Sequence, residues 1–478
     1  MRHRLTNLLR HSVVYGVASL VSRIASVLLL PVLSRELGPN GYGRIETLVA
    51  LTALLVPLLR AGVATAFFRF AFERTLAPDP AEVVRTSFWF SAAGAVGGGL
   101  LGALAAPLIA RALLDAPGQA GLVRAAFLVL FGQILYEQMT ALYRIEERST
   151  AYAVAGLANL AITVAATLLL VLVAGLGATG ALLGNAAGTL AVLAVLVWLR
   201  RSELRFGYDR DLVRRMNAFG LPLLPTGLAL WVIDFSDRLL LGQIADQRAV
   251  GIYAVGVKIA SAMILVQLAF RTAWPAFAYS IEDDAEARRA FALVLVYIAF
   301  VGSWVSVALG VLAPWLVRWL ATEPFQPAER VVAPLAFSAA LLTAYTMLQI
   351  GAARSNRTER FWLIALAGAA VNIVGNLALI PRFGVAGAAS ATVAAYAVLA
   401  GAMAWWSQRI YPVPHQWRRV ATATGTGVVL CVAGRAADLP LAGAIAIAAA
   451  YPLVLVPLRF YLASERRYLV SLAARMRR

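Results

Sequence analysis

The sequence predicts an all-α polytopic membrane protein with about fourteen transmembrane helices. Composition is the first reason: 61% of the 478 residues are hydrophobic and only 14% are charged, which is more apolar surface than a water-soluble core encloses. Length is the second, because a spanning helix needs about 20 mostly apolar residues and about fourteen separate segments provide them. The third is that basic residues concentrate in alternate loops.

The predicted spans cover most of the chain. The thirteenth is the least apolar, so twelve spans with a re-entrant or peripheral tail are the alternative count. The first is longer than the apolar part of a secretory signal, which has about 7–15 residues, and is expected to be retained. The predicted spans are residues 12–33, 45–68, 86–110, 122–143, 151–174, 178–199, 219–243, 250–275, 291–315, 331–353, 361–380, 385–408, 420–436 and 441–461.

Charge distribution predicts the topology. If the N-terminus is cytoplasmic, most loop arginines fall on the same side, and the segment 200–215 alone carries six. This asymmetry is what the positive-inside rule describes. It predicts cytoplasmic N- and C-termini. The basic loops that set this topology account for the net charge of +18, so nucleic acid is not expected as a partner.

Several kinds of chemistry are excluded or disfavoured. Cys431 is the only cysteine, which excludes intrachain disulfides and thiolate metal sites, and the three histidines are too scattered to form a ligand set. No nucleophile, base and orienting group cluster, so neither an enzyme nor a cofactor is expected. Gly94, Gly98 and Gly102 recur every fourth residue and predict close helix packing rather than a phosphate-binding loop.

An internal repeat of about 210 residues organises the chain. Gly41 in GPNGYGRIETLVAL, before the second span, matches Gly251 in RAVGIYAVGVKIA, at the eighth, and Arg144 after the fourth span matches Arg354 after the tenth. Because six spans separate equivalent positions, both repeats have the same orientation. In parallel-repeat transporters the site lies near the midplane between the halves.

The repeat predicts two six-helix lobes around a central cleft, which the first helix of each half would line. A helix pair and a basic tail complete the chain. The predicted boundaries are an N-terminal lobe at 1–200, a cytoplasmic linker at 201–218, a C-terminal lobe at 219–408, and helices thirteen and fourteen with the tail at 409–478.

Arg23 lies in the middle of the first span. Gly16, Ser19 and Ser26 share its helical face, so it would point into a small, polar groove. A charge at the bilayer centre costs at least about 2.5–3.5 kcal/mol, and such residues usually have a function or a partner. We therefore predict a functional role for Arg23.

A second charged cluster lies at the equivalent depth of the second half, in WVIDFSDRLLLGQIA and the span that follows. Asp234, Asp237 and Arg238 belong to it, together with Lys258. An alternative interpretation is structural: Asp234 would neutralise Arg238 four residues later, and Asp237 would pair with Lys258 to fix helix packing.

Arg60 and Arg271 occupy nearly equivalent positions in the two repeats, and Glu137 approaches Arg23 if the fourth span also faces the cleft. Arg271 can also extend to the inner headgroups. Together the deep charges predict a net positive cleft, and guanidinium groups suit phosphate oxygens. The predicted substrate-binding residues are Arg23, Arg60, Lys258, Arg238 and Arg271, and the predicted ion-coupling or salt-bridge residues are Asp234, Asp237 and Glu137.

Two segments carry a family resemblance. SLVSRIASVLLLPVLSRELGPNGYG and DFSDRLLLGQIADQRAVGIYAVGVKIA resemble the polysaccharide biosynthesis and oligosaccharide (O-antigen, Wzx-like) flippases of the multidrug/oligosaccharidyl-lipid/polysaccharide (MOP) exporter superfamily. The most specific element is Asp237-Arg238 followed by Gly251 and Tyr253. The resemblance extends to span number and repeat spacing along nearly the whole chain.

The resemblance implies transport of a polyprenyl-pyrophosphate-linked oligosaccharide from the cytoplasmic to the periplasmic leaflet of a bacterial inner membrane, by alternating access in a MATE/MOP-like fold. It implies no cofactor, and a drive from a Na⁺ or H⁺ gradient, the membrane potential or consumption of the product. Expected partners are the bilayer, glycosyltransferases and a downstream polymerase or ligase, and a monomer is expected.

Three alternatives stay open at this point. A peptidoglycan-precursor (lipid II) flippase would move a chemically similar lipid. A cation-coupled multidrug exporter of the same superfamily would share the architecture but would be expected to have an acidic cleft. A ligase or polymerase of lipid-linked sugars would need a large outer loop with catalytic residues, and the sequence predicts no such loop.

Overall fold

The structure is a computed structural model that describes residues 27–73, 75, 76, 79–463, 465 and 467. These residues form α-helices joined by short turns, without a strand among them. The helices are α1 Leu30–Arg60, α2 Val63–Phe72, α3 Pro80–Leu104, α4 Ala106–Leu114, α5 Ala120–Ile145, α6 Ser149–Leu168, α7 Gly177–Leu199, α8 Arg210–Gly220, α9 Leu224–Ile244, α10 Gln247–Ala260, α11 Ile264–Ser280, α12 Asp284–Leu320, α13 Glu329–Arg354, α14 Phe361–Phe383, α15 Val385–Ile410, α16 Trp417–Ala436 and α17 Leu441–Val454.

The all-α membrane class is confirmed. In the described part of the chain, eleven helical stretches are long and apolar enough to cross a membrane, and they coincide with predicted spans two to twelve. Predicted spans thirteen and fourteen correspond to α16 and α17, which are not among those eleven. Most of the predicted first span lies outside the described residues, so the count of fourteen is not confirmed.

The second span differs from its predicted bounds of 45–68. Helix α1 runs through a kink at Gly38, whose φ is 58°, and Pro39 begins a regular stretch that ends at Arg60. A residue before proline is pushed out of the α region, and glycine accepts a positive φ without a steric cost. Ala61, with φ 45° and ψ −142°, then breaks the helix, which resumes as α2.

Contacts divide the chain into two compact units. The first unit comprises the described residues up to Val255 together with 319–328 and 361–395. The second comprises 256–318, 329–360 and the described residues from Tyr396 onward. The predicted lobes at 1–200 and 219–408 and the cleft between them stay predictions.

In the first unit, α9 packs against both α1 and α14, and α5 packs against α3 and α7. Glycines permit the closest approaches. A Cβ at Gly251 would overlap the carbonyl oxygen of Pro39, and a Cβ at Gly220 would overlap that of Gly62. The segments around Gly41 and Gly251, which the repeat aligns, therefore cross each other in direct backbone contact.

The glycine stripe of α3 brings α3 against the end of α1. A Cβ at Gly94 would overlap the carbonyl oxygen of Leu59, and a Cβ at Gly98 would overlap the side chain of Leu59. The predicted packing role of these glycines is confirmed. It places Arg60, the next residue of α1, against α3.

In the second unit, α11 packs on α13 and α16 packs on α17. The buried core there includes Val296, Val311, Cys431 and Tyr451. Cys431 is therefore enclosed by apolar side chains.

Candidate functional site

Arg60 belongs to the first unit and ends a helix that is long and apolar enough to cross a membrane. It is the last residue of α1 and is only 8% exposed. Beyond the break at Ala61, α2 adds 10 residues, which correspond to about 15 Å of helix. The helical path continues beyond Arg60, and because its guanidinium is buried, its charge would be costly without partners.

Arg60 is held by two consecutive residues of α5. Its Nη1 donates to Oε2 of Glu137 at 2.9 Å and its Nη2 to Oε1 of Gln138 at 2.9 Å. Gln138 in turn donates from Nε2 to Oγ of Ser87 on α3 at 3.0 Å. This network, which we call the Arg60 cluster, links α1, α3 and α5 through one guanidinium.

The Arg60 cluster is accessible on one side. The side chain of Glu137 is 39% exposed, and the exposed Gln133, one turn earlier on α5, donates to the second carboxylate oxygen at 3.1 Å. Among the described residues, Nε of Arg60 has no hydrogen-bond acceptor. The bonds to Glu137 and Gln138 use only two of the five N–H donors of the guanidinium, and its carboxylate partner Glu137 lies where an incoming anion can reach it.

A second charged group lies where α9 meets α1. Arg238 is 6% and Asp237 2% exposed. Nη1 of Arg238 lies 3.4 Å from Oδ1 of Asp237. Nε of Arg238 lies 3.6 Å from Oε2 of Glu46 on α1. We call these three residues the Arg238 cluster.

Hydroxyl groups complete the surroundings of Asp237. The hydroxyl of Tyr253 on α10 donates to Oδ2 of Asp237, and it lies 3.4 Å from Oγ1 of Thr392 on α15. The backbone N–H of Arg238 donates to Oδ1 at 2.8 Å. The carboxylate is therefore bonded on both oxygens, which holds its orientation.

A family model described as polysaccharide biosynthesis protein matches residues 32–330, which is more than half of the chain. The chain belongs to this polysaccharide biosynthesis protein family. The resemblance predicted from the sequence is therefore confirmed at the level of the family.

A curated relative matches this family member over a short stretch. "Lsg locus putative protein 1" of Haemophilus influenzae is 39% identical over 70 residues, which are 14% of this chain and 18% of that protein. The aligned stretch is thus less than a fifth of the relative's length.

Solved structures show the fold. An inward closed structure of the lipid II flippase MurJ is matched with a TM-score of 0.71 at 10% identity, over 93% of this chain and 99% of that one. An inward-facing MATE-family multidrug resistance transporter of the MOP superfamily is matched with a TM-score of 0.64 at 15% identity, over 85% of this chain and 99% of that one. The family member therefore has a MOP-type fold, and at these identities the likeness extends to the fold alone.

The structure brings the predicted site residues together only in part. Arg60 and Glu137 form one cluster, and Asp237 and Arg238 belong to another. Arg238 reaches Asp234 at the main chain, where Nη1 donates to the carbonyl oxygen at 2.6 Å.

The remaining predicted residues lie elsewhere. Lys258 is a half-buried residue of α10 in the second unit, and Arg271 is an exposed residue of α11 in that unit. Arg23 lies outside the described residues. Their predicted roles in substrate binding stay predictions.

Glu46 is the residue that sequence reasoning missed, and it changes the charge balance. The Arg60 and Arg238 clusters together contain two guanidinium groups and three carboxylates, Glu137, Asp237 and Glu46. The predicted excess of positive charge is therefore not found within these two clusters. Support for an anionic substrate comes instead from Arg60, a buried guanidinium whose counter-ion Glu137 is partly exposed.

Proposed function

We propose that this protein is a flippase that moves a polyprenyl-pyrophosphate-linked oligosaccharide from the cytoplasmic to the periplasmic leaflet of a bacterial inner membrane. The product would be used to build a cell-surface polysaccharide, and transport would proceed by alternating access without a chemical step. The observation that carries the proposal is the buried Arg60, in a member of the polysaccharide biosynthesis family, beside a half-exposed counter-ion.

The chemistry of Arg60 suits a diphosphate. A guanidinium offers donors in a plane that matches two phosphate oxygens, and its charge does not vary with pH in the physiological range. Glu137 offsets the cost of burying this charge while the substrate is absent. Because Glu137 is 39% exposed, a phosphate oxygen can replace it without opening a packed core.

The Arg238 cluster is our candidate for coupling to an ion gradient. It contains two carboxylates, Asp237 and Glu46, and one guanidinium. Two buried carboxylates near one cation favour uptake of a proton or of Na⁺ by the group, because a net negative charge in a membrane interior is costly. Uptake and release of that cation during alternation would supply the drive.

A second candidate function is transport of a peptidoglycan precursor. The likeness to the lipid II flippase MurJ, over 93% of this chain, favours it, and lipid II also carries a diphosphate on a polyprenyl chain. The Arg60 cluster would act in the same way on either lipid. The two candidates differ in the sugar, which the cluster does not contact.

The test uses two bacterial strains, one that lacks its oligosaccharide flippase and one in which lipid II transport can be switched off. We expect the wild-type chain to restore surface glycan in the first strain and not growth in the second. Arg60→Ala should lower surface glycan by about 10- to 100-fold, since charge-assisted hydrogen bonds contribute about 1.5–3 kcal/mol. Arg111→Ala, an exposed arginine of α4, is the matched control.

Rescue of growth in the second strain alone would overturn the proposal in favour of the peptidoglycan precursor. Full activity of Arg60→Ala in the first strain, at equal amounts of protein in immunoblotted membranes, would remove Arg60 from the site.

A further inference from the structure

A groove of about 380 Å³ runs between α3 and α5 in the first unit. Gly99 and Leu100 line it from α3, and Phe127, Leu128 and Phe131 line it from α5, so its walls are almost entirely apolar. The groove extends over about two turns of each helix, or roughly 10 Å. Arg124, also on α5, is the one charged residue of its lining.

Two glycines of α3 create this groove. The ring of Phe127 occupies the place where a Cβ of Gly102 would lie. The missing side chain at Gly102 therefore lets Phe127, and with it α5, pack directly against α3. Gly99 leaves the floor open, because a Cβ there would meet nothing closer than Cβ of Phe131 at 3.7 Å. A larger side chain at position 99 would therefore enter the groove without a backbone clash.

Arg124 lies at the end of the groove where α5 begins. It is four residues after the first residue of α5, is exposed, and has no ion pair among the described residues. An apolar channel that ends in a free guanidinium is complementary to a lipid, with the hydrocarbon chain in the channel and an anionic headgroup at the cation.

We propose that the groove binds the polyprenyl chain of the lipid-linked substrate, with its diphosphate at Arg124. The volume holds about a dozen methylene-sized groups, taking about 30 Å³ for each as for a water molecule, which corresponds to two or three isoprene units of a single chain. This inference rests on the proposed function, because a flippase in this family would act on a lipid with one long chain.

The position of the groove along α5 fits movement of the lipid diphosphate from one side of the membrane to the other. Arg124 and Glu137, the counter-ion of Arg60, are thirteen residues apart on α5, or about 20 Å. With the predicted topology, Arg124 lies near the outer end of the span and Arg60 nearer the cytoplasm. Helix α5 would thus connect two sites for the diphosphate, and Arg124 would hold the lipid after it has crossed.

The experiment places the purified full chain in phosphatidylcholine nanodiscs with a diazirine-labelled polyprenyl diphosphate, and maps crosslinked peptides by mass spectrometry. Labels should lie on α3 and α5 beside Gly99. We expect Gly99→Leu to reduce them at least tenfold. Gly97→Leu is the matched control, since a Cβ at Gly97 meets nothing within 4 Å and both changes replace a helical glycine by a better helix former.

A second pair of variants tests the headgroup. Arg124→Gln should weaken labelling about tenfold or more, and Arg111→Gln should not. Unlabelled polyprenyl diphosphate should compete for the groove, whereas phosphatidylglycerol should not. Equal competition by phosphatidylglycerol, or unchanged labelling of Gly99→Leu, would overturn the proposal and leave a surface that binds bulk lipid.

The outcome is separable from that of the proposed function. Transport of the same labelled lipid by the wild-type chain in proteoliposomes measures the function directly. Transport without labelling of the groove would reject the groove and keep the flippase. Labelling without transport would reject the flippase.

Discussion

Gly43 and Gly251 bring two backbones into contact: a Cβ added at Gly43 would lie 2.9 Å from the backbone nitrogen of Gly251, and one added at Gly251 would lie 3.1 Å from that of Gly43. Gly251 begins the eighth predicted span. Its equivalent in the first repeat is Gly41, which lies two residues before Gly43. The two halves of the repeat therefore meet at equivalent points, near the Arg238 cluster in sequence.

The contact predicts that Gly251→Ala destabilises the protein. The added methyl would overlap the carbonyl oxygen of Pro39, and overpacking of this kind costs about 1–3 kcal/mol. The melting temperature in detergent should fall by several degrees. Gly227→Ala on α9 is the control, because a Cβ there meets nothing within 4 Å, and it should leave the melting temperature unchanged or slightly raised. Equal melting of both variants would show that the crossing is looser than this geometry.

The second prediction concerns Arg60→Lys. An ammonium keeps the charge but cannot bridge Glu137 and Gln138 with a planar pair of donors as the guanidinium does. We expect surface glycan between that of the wild type and that of Arg60→Ala, with normal membrane insertion. Flow cytometry of glycan-specific lectin binding, corrected for the amount of protein, measures it. Lysine and alanine variants of equal activity would mean that charge alone contributes nothing at this position.

The third prediction concerns Tyr253→Phe. Its hydroxyl donates to a buried carboxylate oxygen of Asp237, and an unsatisfied buried acceptor costs about 1–3 kcal/mol, more when it is charged. Both folding stability and transport should fall. Tyr208→Phe, which removes a hydroxyl from a residue that is 44% exposed, should change neither. A Tyr253→Phe variant that melts and transports like the wild type would show that water takes the place of the hydroxyl.

Spans could be predicted from the sequence because lipid imposes a simple requirement of length and hydrophobicity on each helix by itself. Contacts between helices carry no such signature. Their depth in predicted spans makes Arg60 and Glu137 candidates, but nothing in the periodicity of either segment pairs two residues that are 77 positions apart.

Glu46 was missed for a specific reason. The predicted second span, 45–68, begins one residue before Glu46, so its bounds do not place this carboxylate inside a helix. The structure begins the regular helix at Pro39, so Glu46 lies two turns inside it and meets Arg238. A proline at the first position of a helix is a known start signal, and applying it to Gly38-Pro39 would have placed Glu46 in the membrane.

The fourth prediction is a pH dependence outside the spans. Hydrogen bonds from the Arg200 guanidinium lower the pKa of Glu146 below its ordinary value, although partial burial opposes this. A glutamate whose pKa is lower in the folded than in the unfolded chain stabilises the fold at pH values above its pKa in the unfolded chain, about 4.3. That stabilisation is lost as the pH falls through its pKa in the folded chain. Unfolding midpoints in denaturant should therefore fall below about pH 4.3 more steeply for the wild type than for Glu146→Gln. Parallel curves for the two proteins would contradict the pairing.

The last prediction returns to Arg23, which lies outside the described residues and whose role rests on the sequence. A guanidinium in the middle of an apolar span, with small and polar neighbours on its helical face and no acid in its own span, is expected to bind the diphosphate as the protein alternates. Arg23→Ala should abolish surface glycan while insertion is kept, because removal of a buried charge lowers the cost of insertion. Arg23→Lys should retain part of the activity, since the charge stays and the bidentate geometry is lost. Glycan staining in the flippase-deficient strain, with immunoblots of membrane fractions, measures both. If the alanine variant is fully active, Arg23 is a tolerated charge, and Arg60, whose counter-ion Glu137 is partly exposed, is the next candidate to hold the diphosphate.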